Sequence, residues 1–183
     1  MSNKTDVIYR NWGAFRELMK DNKYAVKYYT QKIKDGHDAV CVPIADVFTR
    51  DEIEQIKTYV RPEQKMCFMN AYRLANLFPQ RVKYVEGEVT ILNGGIGIEH
   101  AWNLVDGEHY VDLTFELALQ EDVRKEAYVA IGEYDVDTMR RVAVDTRVYG
   151  GVYDYLYREK NDVKNKKNYG KKNSTKNRVR KRN

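Results

Sequence analysis

Histidine, proline and cysteine are scarce in this chain, with three, three and two copies among 183 residues. The two cysteines, Cys41 and Cys67, are read as free thiols rather than as a disulfide, and both are open to chemistry. A metal centre drawn from His37, Cys41, His100 and Asp112 is poorly supported, because no close His or Cys pair of the usual ligand spacing is present. Neither a metal nor another cofactor is expected. No apolar run approaches the roughly 20 residues of a membrane span. The N-terminal MSNKTDVIYRNWG also lacks the apolar stretch of a secretory signal, so a cytoplasmic location away from membranes is the expectation. The glycine-containing string from Leu92 to Gly97 has no lysine-serine ending and no helix after it, which excludes a phosphate loop and leaves a flexible loop able to act as a flap.

What is abundant is apolar and charged surface in ordinary proportion. Hydrophobic residues make up 43% of the chain and charged residues 32%, a balance that builds a core and excludes wholesale disorder. The net charge of +5 is unevenly placed. Residues 158–183 hold twelve Lys or Arg and two acids, which leaves 20 basic and 25 acidic side chains for residues 1–157. The body is therefore acidic and the tail basic. Residues 158–183 have too few apolar groups to offset the entropy of ordering and are expected to be a disordered tail, either solubilising or a nonspecific, salt-sensitive arm for nucleic acid or another polyanion. Residues 1–157 are expected to form one domain, helical over 1–62 and carrying the chemistry over 63–157.

Taken in order, Val7, Ile8, Phe15, Leu18 and Met19, then Tyr24, Ala25, Tyr28, Tyr29 and Ile33, recur at helical spacing and predict two helices broken at Asp21-Asn22. Gly36 is expected to end the second in a left-handed conformation, with His37 exposed beside it. Ala39–Ile44, broken by Pro43, reads as an edge strand or extended connection with Cys41 buried in it. Thr49 and Glu52 form a capping-box signature ahead of Ile53, Ile56 and Val60, and Pro62 stops that helix.

The next helix has the strongest pattern. Cys67, Ala71, Leu74, Ala75 and Phe78 fall on one face, and Pro79 closes it. Cys67 thus opens a helix, where unpaired backbone N–H groups favour thiolate, although burial as a first core residue fits the same pattern. Val82–Glu86 and Val89–Leu92 are expected as strands around a kink at Gly87. Ile98–Val105 and His109–Phe115 flank Asp106-Gly107 as a hairpin. Register decides what that hairpin does. A two-residue turn puts Asp112 on the face opposite to His100, whereas a three-residue loop of Val105, Asp106 and Gly107 sets His100 directly across from Asp112, with Cβ atoms about 5 Å apart. The three-residue loop is predicted, because Gly107 suits its left-handed position. His109 then faces away. Leu113–Leu119 and Glu126–Gly132 are expected to extend the sheet, Asp135–Arg141 to be helical and Val142–Val144 to form a last strand.

The run HAWNLVDGEHYVDLT resembles the His-x-Trp and Asp-x-Thr signature of transglutaminase-like proteins, in which a cysteine on a helix precedes His and Asp on adjacent antiparallel strands. The run from Cys67 to Asn70 is similar to arylamine N-acetyltransferases of the same superfamily. The likeness covers residues 64–115, about a quarter of the chain, and departs from many members in the Lys-Met-Cys-Phe surroundings of the thiol. It implies an α+β, papain-like core with the cysteine-bearing helix packed on an antiparallel sheet. In that core Cys67 would attack an acyl carbon, His100 would take and return the proton, and Asp112 would orient His100.

The chemistry stands on its own terms as well. Thiolate, imidazole and carboxylate are the groups that acyl transfer through a thioester requires. Developing oxyanion charge needs donors, for which the Cys67 backbone N–H and the Gln64 side-chain amide are the candidates. Trp102 shares strand parity with His100 and is expected to shield or floor the site. The substrate class is a protein, peptide or small acyl compound, with hydrolysis, deamidation and transfer to an amine all open. The alternative is a noncatalytic binding protein on the same fold that uses the basic tail or Tyr149, Tyr153, Tyr155 and Tyr157 around Gly150-Gly151.

Overall fold

The computed structural model describes residues 4–91 and 95–161. The chain forms two compact units, Met1–Gly151 and Val152–Asn183. The first is an α+β unit built on a curled antiparallel sheet of five strands. In the second, the described part is a helix over 152–161, in which the Tyr153 and Tyr157 rings stack at 6.4 Å. The expectation of disorder from 158 is thus corrected for 158–161, which continue this helix, and 162–183 lie outside the described residues. Among the described residues no helix is long and apolar enough to cross a membrane.

The two predicted N-terminal helices are α1, Asp6–Leu18, and α2, Lys23–Asp35. Asn22 separates them by accepting from the N–H groups of Tyr24 and Ala25, satisfying donors that have no partner within the helix. Buried Trp12 of α1 donates its indole N–H to Glu88 on the sheet. Lys32 of α2 reaches the same carboxylate at 2.9 Å and lies 5.1 Å over the Trp12 ring. A buried charge needs such partners, and these three side chains fasten the helical pair to the sheet. Gly36 is extended, at φ −63° and ψ 133°, and not left-handed. Space is the reason for the glycine, since a Cβ would lie 2.8 Å from the Trp12 ring.

The sheet runs β1 His37–Ala39, β5 Tyr128–Tyr134, β2 Val82–Ile91, β3 Ile96–Val105, β4 His109–Val111 in spatial order. Its first strand is a short edge strand, and Cys41 just beyond it is buried. The capping box at Thr49 and Glu52 is present and opens α3, Arg50–Gln55, which runs into a wider helical turn over Ile56–Val60. Helix α4, Cys67–Leu77, follows. The expected pair of strands around Gly87 is one continuous β2. Gly87 marks a bulge against β5, where a Cβ would drive into the Val129 carbonyl oxygen and sit 2.6 Å from the Trp102 ring.

Three further expectations change. Strand β4 stops at Val111, so the strand expected over His109–Phe115 is cut short and Leu113–Leu119 does not extend the sheet; a wide helical turn over Thr114–Ala118 follows. The last expected strand, Val142–Val144, lies inside α5, Val136–Thr146, which Asp135 caps through the Thr138 N–H at 2.7 Å. A good N-cap starts the helix, and its buried Val136, Met139 and Val142 carry it on past the predicted end. Val85, Val89, Trp102, Leu104, Tyr128 and Ala130 form a core with Phe115, Val123 and Cys41. Asn103, of opposite parity, donates to the Ala71 carbonyl at 2.9 Å and ties β3 to α4.

Candidate functional site

The β3–β4 hairpin pairs Val105 with His109, Leu104 with Tyr110 and Asn103 with Val111. Its loop therefore has three residues, as expected, but they are Asp106, Gly107 and Glu108, one position further along. Asp106 and Gly107 both have positive φ, 53° and 75°, and the Glu108 N–H closes on the Val105 carbonyl at 3.0 Å. The geometry is a tight turn with two left-handed residues, followed by one extra residue. Arg81 explains why the loop sits there: its guanidinium grips the Asp106 carboxylate at 2.8 and 3.0 Å, and its carbonyl takes the Asp106 N–H at 2.7 Å.

The parity of a three-residue loop survives this shift, but the direct pairing does not. Extending the observed register would set His100 across from Thr114 and Asp112 across from Trp102, and pairing ends before either is reached. Asp112 meets His100 because the chain leaves the sheet there. One carboxylate oxygen, Oδ1, accepts from the Thr114 and Phe115 N–H groups at 2.9 and 3.2 Å and starts the helical turn. The other, Oδ2, accepts from His100 Nε2 at 2.6 Å and from the Tyr128 hydroxyl at 3.2 Å. Asp112 is fully buried and His100 is 3% exposed.

Aromatic rings hold the imidazole. Trp102 stacks on it with centroids 6.1 Å apart and planes at 22°, and Phe115 meets it edge-on at 5.4 Å. Trp102 is thus a buried floor under His100. Burial alone would strip the His100 proton, but the Asp112 charge and hydrogen bond outweigh it, and Cys67 adds a hydrogen-bonding and a charge contribution. The balance pushes the His100 pKa up to about 10.

Cys67 is the first residue of α4, a half-buried thiol, whereas Cys41 is 1% exposed. Burial, followed by the nearby Asp112 charge, pushes the Cys41 thiol well above its ordinary pKa. The two cysteines are therefore physically unlike. Gln64 is exposed, and its amide donates to the Ala118 carbonyl at 3.2 Å, joining the approach to α4 to the end of the turn that Asp112 starts. His109 is apart from this cluster, with Glu108 3.8 Å away.

Two participants escaped sequence reasoning. Asn70 is 1% exposed and bonds both backbone groups of Glu63, at 3.1 and 2.8 Å, and the Thr114 hydroxyl at 3.0 Å. It clamps the entry to the cysteine helix against the turn after Asp112. A polar residue within the apolar stretch of α4 was the signal. Tyr128 sits on β5, outside the stretch of resemblance, and had no local signal. Among the described residues no cluster of three or more His, Cys, Asp or Glu is placed to hold a metal ion. Compared with known proteins, the chain matches no family model, no curated sequence and no solved structure.

Proposed function

We propose that the chain is a cysteine-dependent acyl-transfer enzyme with a transglutaminase-like or papain-like core, acting through a Cys67, His100, Asp112 triad. The observation that carries this reading is the buried 2.6 Å bond between His100 and Asp112, with Cys67 at the mouth of α4 interacting with the same imidazole. Because Nε2 is committed to Asp112, this reading assigns the exchange of protons at the thiol to the other ring nitrogen, Nδ1. An imidazole that holds its proton to about pH 10 puts a positive charge beside the Cys67 sulfur at neutral pH, the setting in which a thiol acts as a nucleophile.

In the proposed reaction the Cys67 thiolate adds to the carbonyl carbon of an amide, ester or thioester. The developing oxyanion is met by the N–H groups at the start of α4, which have no acceptor within the helix. As the carbon–heteroatom bond breaks, His100 gives its proton to the leaving group and a thioester remains on Cys67. Water or an amine then attacks that thioester while His100 takes its proton, and the thiolate leaves. Asp112 keeps the imidazole in one orientation throughout. Gln64, engaged with Ala118 through one amide N–H, shapes the approach to α4 in this reading, and its second amide N–H is the candidate oxyanion donor.

A mixed reaction with a para-nitrophenyl ester tests the proposal. An acyl group found on Cys67 by peptide mass mapping, and missing from the His100→Ala protein, is the expected outcome. No adduct on Cys67, or equal adducts on Cys67 and Cys41, would contradict it.

A second reading, noncatalytic binding on the same fold, is favoured by an open pocket lined by Tyr72, Ala143, Val144, Arg147, Val148 and Tyr149, with the two tyrosine rings 4.8 Å apart. An exposed Tyr149 and a half-buried Tyr72 beside an arginine suit a peptide or a nucleobase. The basic residues 158–183 would add nonspecific attraction to a polyanion, weakening as salt rises.

A further inference from the structure

Asp112 Oδ2 receives two donors, and only one of them belongs to the proposed triad. The other is the hydroxyl of Tyr128, a residue with no exposed surface. Its place is fixed from both sides, because Tyr128 pairs with Ala39 of β1 and with Val89 of β2. Its ring is wedged edge-on against Trp102 at 5.2 Å and against Phe115 at 6.4 Å, the two rings that also hold His100. A side chain held this firmly keeps its hydroxyl beside Asp112 Oδ2, 3.2 Å away, with the Cys41 thiol as its other hydrogen-bonding neighbour. Burial first, then the neighbouring Asp112 and Cys41, drive its ionisation far beyond the ordinary range, so the phenol remains a donor at any pH at which the fold persists.

We infer that Tyr128 is a positioning residue that sets how tightly Asp112 holds His100, an inference that builds on the thiol-enzyme reading above. The physical argument concerns one oxygen shared by two donors. A hydrogen bond from Tyr128 withdraws part of the charge on Oδ2, so the bond from the imidazolium is weaker than it would be to an oxygen with no second donor. A weaker hold on the Nε2 proton makes the imidazolium more acidic, so the proton on its other ring nitrogen is kept transferable, which a general acid requires. It also keeps Oδ2 in line with Nε2, while the Thr114 and Phe115 N–H groups fix Oδ1. With both oxygens pinned, the carboxylate cannot rotate. If Tyr128 served only to fill the core, its ring would suffice and its hydroxyl would be dispensable.

Tyr128→Phe separates the two roles, because it retains the ring and deletes the donor. The readout is the low-field proton resonance of the His100 imidazole N–H in the full chain, assigned by its loss in His100→Ala. Removal of the competing donor is expected to move it further downfield. A resonance that stays in place, or moves upfield, overturns the inference. Uniform replacement of tyrosine by 3-fluorotyrosine gives a second measurement that does not depend on the folding of the Phe variant. The more acidic phenol is a stronger donor to Asp112, so the resonance should move upfield, and an unmoved or downfield line again overturns the role. Iodoacetamide alkylation of Cys67 in the same samples keeps the two readings apart. If Cys67 were unreactive the enzyme proposal would fail, yet the resonance would still report on Tyr128.

Discussion

Asp112 accepts four hydrogen bonds, two from backbone N–H groups and two from side chains, and has no exposed surface. A carboxylate so placed depends on its partners remaining charged or polarised. For His100 the folded pKa, about 10, lies above the unfolded value of 6.5. The stabilisation it contributes is therefore complete below about pH 6.5 and disappears as pH rises through about 10. Asp112→Asn removes the charge at nearly constant volume, and a loss of about 2–3 kcal/mol is expected at neutral pH. Urea titrations of both proteins from pH 6 to pH 10.5 check this, and the gap between them should narrow toward the alkaline end. Cys67 and His100 stood out at this scale because cysteine and histidine are rare here, and Asp112 was reached through the hairpin and the resemblance. Asn70 and Tyr128 were not, since an amide in a helix and a tyrosine in a strand acquire meaning only when the fold brings them to Thr114 and Asp112.

Among the elements, the hairpin shows how far alternation reaches. Period-two parity correctly put His100, Trp102 and Asp112 on one side, because a loop of three residues preserves it wherever the loop starts. The starting point itself depended on Arg81, distant in sequence, seizing Asp106. The end of β4 was also illegible, since the apolar run His109–Phe115 reads as strand while the Asp112 side chain captures two N–H groups and turns the backbone helical. Gly87 belongs to this scale too. Its pairing partner across β2–β3 is His100, and its missing side chain makes room for Trp102 and the Val129 carbonyl. Gly87→Ala is expected to destabilise the chain by about 3 kcal/mol through overpacking. A lowered urea midpoint with an unchanged slope would verify it, whereas a midpoint like that of the parent would mean that β2 shifts at little cost.

At the scale of the molecule, sheet and helices do different things for the site. The five-stranded sheet carries His100 and Tyr128 on β3 and β5, α4 carries Cys67, and the turn after β4 brings Asp112 between them. The α+β class was expected from the resemblance, and helix and strand patterns that do not overlap in sequence agree with it. The way the chain wraps around the His100 end of β3 was not, as it rests on contacts between residues far apart, such as Asn70 with Thr114 and Trp12 with Glu88. The central claim is that this wrapping leaves one of two thiols activated. Its most direct test is the rate of iodoacetamide alkylation at Cys67 and Cys41, followed separately by mass spectrometry at neutral pH in the native chain and in His100→Ala. The account predicts rapid, selective alkylation of Cys67 that slows by about tenfold or more on loss of the imidazole, with Cys41 inert in both. Equal and slow labelling of the two thiols, unchanged by His100→Ala, would contradict it.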